Sequence, residues 1–234
     1  MRPSALPVLA FSSAIVFSLG ACGLNQTVSR TEPTQFLKST GVDRSLRVAR
    51  LPFEHSWRDP SVDMSKYKHM VVRPVTTSYL RSELWEQSKS TAIPSRRAYQ
   101  MRCKKLARHW DLSLDQSFSS PICMFYKTND TTKAGTLVLE VALTEVRFEA
   151  EAGSDATIPN LPICAFESRT RDAATGRLIS TASDRRGPGL RSPHANTSSL
   201  TSNEAICDEW SQQLMQRSNK EIFPVVKRRL FSLF

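Results

Sequence analysis

Several patterns that ordinarily announce chemistry are missing from this 234-residue chain. No Cys-x-x-Cys pair occurs, and the four histidines, His55, His69, His109 and His194, do not cluster with the cysteines, which excludes a zinc centre of the usual spacing. There is no Gly-x-Ser-x-Gly elbow, no His-Glu-x-x-His and no paired-carboxylate motif to set a nucleophile beside a base. Glycine-rich phosphate loops are absent as well, because Gly187-Pro188-Gly189 has neither the lysine nor the helix start that such a loop needs. No internal repeat and no low-complexity tract is visible. The sequence therefore offers no catalytic residues, no cofactor and no metal site, and His69 and His109 read as packing or surface residues. Acidic residues are also in deficit: 22 Asp and Glu face 32 Lys and Arg, a formal net charge of +10.

What is present begins at the amino terminus. Arg2 is followed by an apolar run from Leu6 to Leu19 that is too short for a comfortable transmembrane span, and the run closes on Leu19-Gly20-Ala21-Cys22. A leucine three residues before a cysteine, with small residues between, is a lipobox: the Cys22 thiol takes diacylglycerol and becomes the acylated amino terminus after cleavage. An ordinary signal peptide, cut after Gly23, is the alternative, and both export the chain. Gly23 in place of an aspartate points to the outer membrane rather than to retention at the inner one. The expected organisation is a lipoprotein signal peptide over residues 1–21, a lipidated and solvated tether over 22–47, and one periplasmic domain over 48–234.

Removing residues 1–21 takes away only Arg2, so the mature chain keeps a formal charge of +9. Such a balance favours anionic surroundings, which outside the cytoplasm means headgroups, anionic envelope polymers or an acidic protein, with no nucleic acid expected. With Cys22 assigned to lipid, Cys103, Cys123, Cys164 and Cys207 remain as an even set, and an oxidising compartment makes two disulfides the expectation. Of the three possible pairings, Cys103 with Cys123 and Cys164 with Cys207 is preferred; four free thiols are the alternative.

Lys68 to Val75 reads as a first strand that Pro74 ends or pushes to a sheet edge. Ser82 to Trp85 reads as a helical turn. After Pro94, Tyr99, Cys103, Leu106 and Trp110 follow helical spacing, while Arg96, Arg97, Lys104, Lys105 and Arg108 make the remaining faces basic, either as a solvated surface or as a docking patch. Thr136 to Glu149 alternates as a long strand, with a phase change that calls for a bulge near Thr144 or Glu145. Cys164 to Arg171 and Arg177 to Asp184 flank a hairpin turn at Asp172-Ala173-Ala174-Thr175-Gly176. Gly187 to Ser202 reads as a long loop. Thr201-Ser202-Asn203-Glu204 is a capping box opening a last helix to about Phe223, which Pro224 should end or kink. The tail beyond it carries Lys227, Arg228 and Arg229, a second basic candidate. This order predicts an α+β fold, a largely antiparallel sheet of about four strands with two main helices packed on it.

Thr34-Gln35-Phe36-Leu37, Pro52-Phe53 with Ser56-Trp57, Tyr67 leading to Val71-Val72-Arg73-Pro74-Val75, and Asp172-Ala173-Ala174-Thr175-Gly176-Arg177-Leu178 together resemble a family of bacterial outer-membrane lipoproteins, domain of unknown function 3313. The resemblance implies no catalytic residues. The four further cysteines and the basic tail ending in Phe234 depart from the family pattern. The functional expectation is a noncatalytic binding or scaffold module for an envelope protein or anionic polymer, held to the membrane by its lipid anchor; a hydrolase acting on an envelope polymer is the alternative.

Overall fold

The computed structural model describes residues 32–41, 52–81, 95–148, 162–187 and 202–231, the side chains of the last segment as far as Lys220. The signal peptide and Cys22, the turn read at Ser82 to Trp85 and nearly all of the loop between Gly187 and Ser202 lie outside the described residues. The strands are β1 (His55–Arg58), β2 (His69–Val72), β3 (Tyr126–Lys127), β4 (Thr136–Arg147), β5 (Ile163–Asp172) and β6 (Leu178–Arg186). The helices are α1 (Gln35–Lys38), α2 (Arg96–Ser119) and α3 (Asn203–Phe231).

The fold is α+β, but the sheet is mixed and six-stranded, in the order β1-β6-β5-β4-β2-β3. β4, β5, β6 and β1 pair antiparallel, whereas β2 runs parallel to both β3 and β4. A parallel pair needs a long crossover, and α2 supplies it between β2 and the two strands that flank it. β2 stops at Val72, before Pro74, and so sits inside the sheet and not at its edge. The register of β4 on β5 shifts between Leu143 and Glu145, the bulge expected there. At the β5–β6 hairpin, Asp172 Oδ1 accepts the amides of Ala174 and Thr175 at 2.9 and 2.8 Å, and Gly176 takes a positive φ of 70°.

One sheet face carries the core. Leu137, Leu139, Val141 and Leu143 of β4 and Phe166 of β5 are buried beneath α2 and α3. α2 is capped by Ser95, whose Oγ accepts the Ala98 amide at 3.1 Å, and its apolar stripe continues past Trp110 to Leu114 and Phe118. α3 is capped by Ser202, which accepts from the Ala205 amide, and it runs through Pro224 to Phe231 instead of ending there. Trp110, Phe166 and Trp210 meet at centroid distances of 4.7 to 5.5 Å, joining both helices to the sheet. Burying side chains of this size is worth about 2–3 kcal/mol each.

The opposite face is polar and laddered with charge, because alternate residues of a strand point to opposite sides. Arg169 Nε donates to Glu140 at 2.6 Å, and Arg185 grips both oxygens of the buried Glu145 at 2.7 and 2.9 Å, with Arg147 adding a third contact at 3.0 Å. The segment read as a solvated tether is in part docked on this face. Thr34 donates from its amide and its hydroxyl to Glu167 at 2.8 and 2.7 Å, and Phe36 is buried under the Arg169 guanidinium, 4.3 Å from its ring centroid.

The expected disulfides are not formed: Cys103, Cys123, Cys164 and Cys207 are free thiols. Pairing of Cys103 with Cys123 is excluded by the helix between them. From Cys103 to Ser119 the rise along α2 is about 24 Å. The few residues to Cys123 can recover at most ~14 Å of that, which leaves the pair beyond the ~7 Å limit for bridging. Cys164 and Cys207 do meet in the core, and the Asn203 amide donates to the Cys164 sulfur at 3.0 Å. Burial pushes the Cys103 thiol up to about 12 and that of Cys207 up as well, so both are inert thiols at neutral pH.

Glu145 gives this fold a specific pH dependence. Burial alone would raise its carboxyl, but the Arg185 hydrogen bonds and the charges of Arg185, Arg147 and Arg81 prevail and hold it below its ordinary value. A depressed folded value stabilises above the unfolded one and is lost as pH falls through the folded one. Glu145→Gln should therefore cost about 3 kcal/mol at neutral pH. Urea denaturation of both proteins should show the gap closing below pH ~4; a gap independent of pH would contradict this assignment.

Candidate functional site

The clearest concavity with a chemical character lies where the segment after β2 passes the first turns of α2. It encloses about 320 Å³ and is lined by Thr77, Ser78, Leu80, Arg81, Arg96, Tyr99, Gln100 and Lys104. Arg96, Gln100 and Lys104 project from one stripe of α2 because they are spaced four apart. Arg81 arrives from the other wall, fixed by its backbone amide, which donates to the Thr144 carbonyl at 3.1 Å. Tyr99 stands between the core and the cavity. Its hydroxyl donates to the Val146 carbonyl at 2.8 Å, and burial pushes its pKa up, so it stays neutral.

Among the described residues, three cations and no carboxylate line this space. None of the ion pairs among the described residues uses Arg81, Arg96 or Lys104. The first turn of α2 contains no acidic residue either. Two guanidinium forks and an ammonium around one opening suit a phosphate or carboxylate group, which arginine can bind through two parallel hydrogen bonds. Among the described residues the lining holds neither a carboxylate nor an imidazole.

Of the basic residues singled out from sequence, the structure brings Arg96 and Lys104 together in this cavity. Arg97, Lys105 and Arg108 are exposed on α2 outside it, and Lys227, Arg228 and Arg229 fall on the last turns of α3, where side chains are not described. Arg81 was not legible in the sequence. It sits in an irregular segment with no periodicity, and only the fold carries it to α2.

A second, open groove of about 680 Å³ runs between α2 and α3, lined by His109, Asp208, Leu112, Ile122 and Met215 among others. His109 Nε2 lies 2.9 Å from Asp208 Oδ1, with both side chains nearly half exposed. No group of three His, Cys, Asp or Glu among the described residues is arranged to hold a metal ion, and no described helix is long and apolar enough to cross a membrane.

If the cavity cations serve a ligand and not the fold, neutralising them should leave the fold intact. Arg96→Gln combined with Lys104→Gln should change unfolding free energy by less than ~0.5 kcal/mol, measured by urea denaturation; a loss of several kcal/mol would make them structural.

Comparison with known proteins agrees with the motifs spread along the chain. No curated protein matches the sequence. Among solved structures, the PelC dodecamer from Paraburkholderia phytofirmans is similar at 14% identity, over 69% of this chain and 95% of that one, with a TM-score of 0.34. A minor lipoprotein from Acinetobacter baumannii is similar at 13% identity, over 66% and 94%, with a TM-score of 0.33. Similarities this remote carry nothing about assembly or ligand. The family model described as protein of unknown function (DUF3313) matches residues 32–214, from the docked Thr34 segment into the first half of α3, and the chain belongs to that family.

Proposed function

We propose that this protein is a lipid-anchored lipoprotein of the bacterial outer membrane, facing the periplasm, whose α+β domain is a noncatalytic module that binds an anionic envelope component. The observation that carries the reading is the cavity in which Arg81, Arg96 and Lys104 converge with no carboxylate among the described lining residues. The Leu19-Gly20-Ala21-Cys22 motif supports the anchor, and Gly23 supports the outer membrane as destination. A basic chain in an envelope of phosphate- and carboxylate-bearing polymers meets anions at high local concentration, so a preformed cationic recess has ligands within reach. The described lining carries no carboxylate or imidazole of the kind a hydrolase uses, which favours a binding role over a catalytic one.

The anchor is tested by intact mass and density-gradient fractionation of the native protein and of Cys22→Ala. The wild-type chain should begin at an acylated Cys22 and stay with the outer membrane through a high-salt wash, while Cys22→Ala should retain residues 1–21 and be missing from that fraction. An unacylated Cys22 in the wild-type protein would contradict the reading.

A further inference from the structure

The cationic cavity lies beside Glu32. Arg81, one wall of the cavity, hydrogen-bonds the carbonyl of Glu32, and two residues later Thr34 is fixed to Glu167 on the charged sheet face. The chain upstream of the cavity is thus held to the folded domain at a known place. From Glu32 back to Cys22 there are ten residues, a span of at most ~36 Å when fully extended. A bilayer that holds Cys22 is within that distance of Arg81, so its headgroups are the anions presented to the cavity at the highest effective concentration.

Charge and shape point the same way. Arg97, Lys105 and Arg108 are exposed elsewhere on α2, and no acidic residue lies in the first turn of that helix. A recess of about 320 Å³ with two guanidinium groups has room for one phosphodiester and its glycerol. We propose that the occupant of this cavity is the phosphodiester headgroup of an anionic phospholipid in the membrane that carries the anchor, so that the domain lies against that surface with the amino-terminal end of α2 toward it. The inference rests on the lipid anchoring proposed above and names the ligand of the same cavity. Partitioning onto an anionic surface gains roughly fivefold for each basic residue brought near it.

The test uses the native, full-length mature protein, with acylation of Cys22 verified by intact mass. It is inserted into vesicles of phosphatidylcholine alone or of phosphatidylcholine with phosphatidylglycerol. An amine-acylating reagent is then applied for increasing times, and modification of Lys104 and Lys133 is quantified by mass spectrometry. Lys133 is exposed ahead of β4 and serves as the control. It lies near Thr136, whereas Arg81 bonds Thr144, and the strand between those two positions rises ~26 Å.

Lys104 should react at least ~threefold more slowly on the anionic vesicles, with Lys133 unchanged, as contact with headgroups requires. Equal Lys104 rates on the two vesicle types, with Cys22 acylated, would overturn this inference and leave the anchoring intact. An unacylated Cys22 would overturn both. Equal protection by inorganic phosphate on phosphatidylcholine vesicles would assign the cavity to a soluble anion and overturn the membrane assignment.

Discussion

Asp184 is the joint on which the arrangement of helices and sheet depends. From the helix-facing side of β6 its Oδ2 accepts the indole N–H of Trp210 at 2.9 Å and the Arg186 Nε at 2.7 Å, while its Oδ1 accepts the Glu54 amide at 3.2 Å. Arg186, 1% exposed, carries the connection on to the Pro52 carbonyl, to Gln213 at 2.6 Å and to Glu209 at 3.1 Å. A buried ion pair is a weak source of net stability, because desolvation offsets most of the Coulomb attraction. What it provides is position: every polar partner is specified, so α3 can dock on the sheet at one height and rotation only. Trp210 then fixes Trp110, and Trp110 fixes α2, the helix that carries Arg96 and Lys104.

The two faces of the sheet divide the work. The helix side is closed by aromatic packing, with an open groove between α2 and α3. On the other side, Glu145 and Glu167 are buried acids that hold Arg185 and the Thr34 segment respectively. Arg81 connects this face with the cavity: it lines the recess, bonds the chain at Glu32 and acts electrostatically on Glu145. The docked amino-terminal segment and the cationic recess are therefore neighbours because one arginine belongs to both.

Much of this architecture was legible in the sequence where a single period dominates. The stripe Tyr99, Cys103, Leu106 and Trp110 gave α2, the phase change in β4 gave its bulge, and Asp172 with Gly176 gave the β5–β6 turn. β1 and β3 escaped because they are short and have no fully buried positions, so no alternation marks them. The parallel pairing of β2 was hidden for another reason: strand direction is set by the crossover through α2, a tertiary fact that local pattern does not carry. Counting cysteines was misleading, since the length of α2 separates Cys103 from Cys123. Of the site, α2 contributed its half to the sequence reading, whereas Arg81 became visible only when the chain after β2 was placed against that helix.

The proposed anchor, recess and basic helix face would together set an orientation on the membrane. Neutron reflectometry of the acylated protein on a supported bilayer containing phosphatidylglycerol measures it directly. The proposed orientation requires a protein layer beginning within about one Debye length, ~10 Å at 0.1 M salt, of the headgroups, with the amino-terminal end of α2 toward the bilayer. A layer standing off at the full tether length, or one with the Lys133 end toward the headgroups, would contradict it.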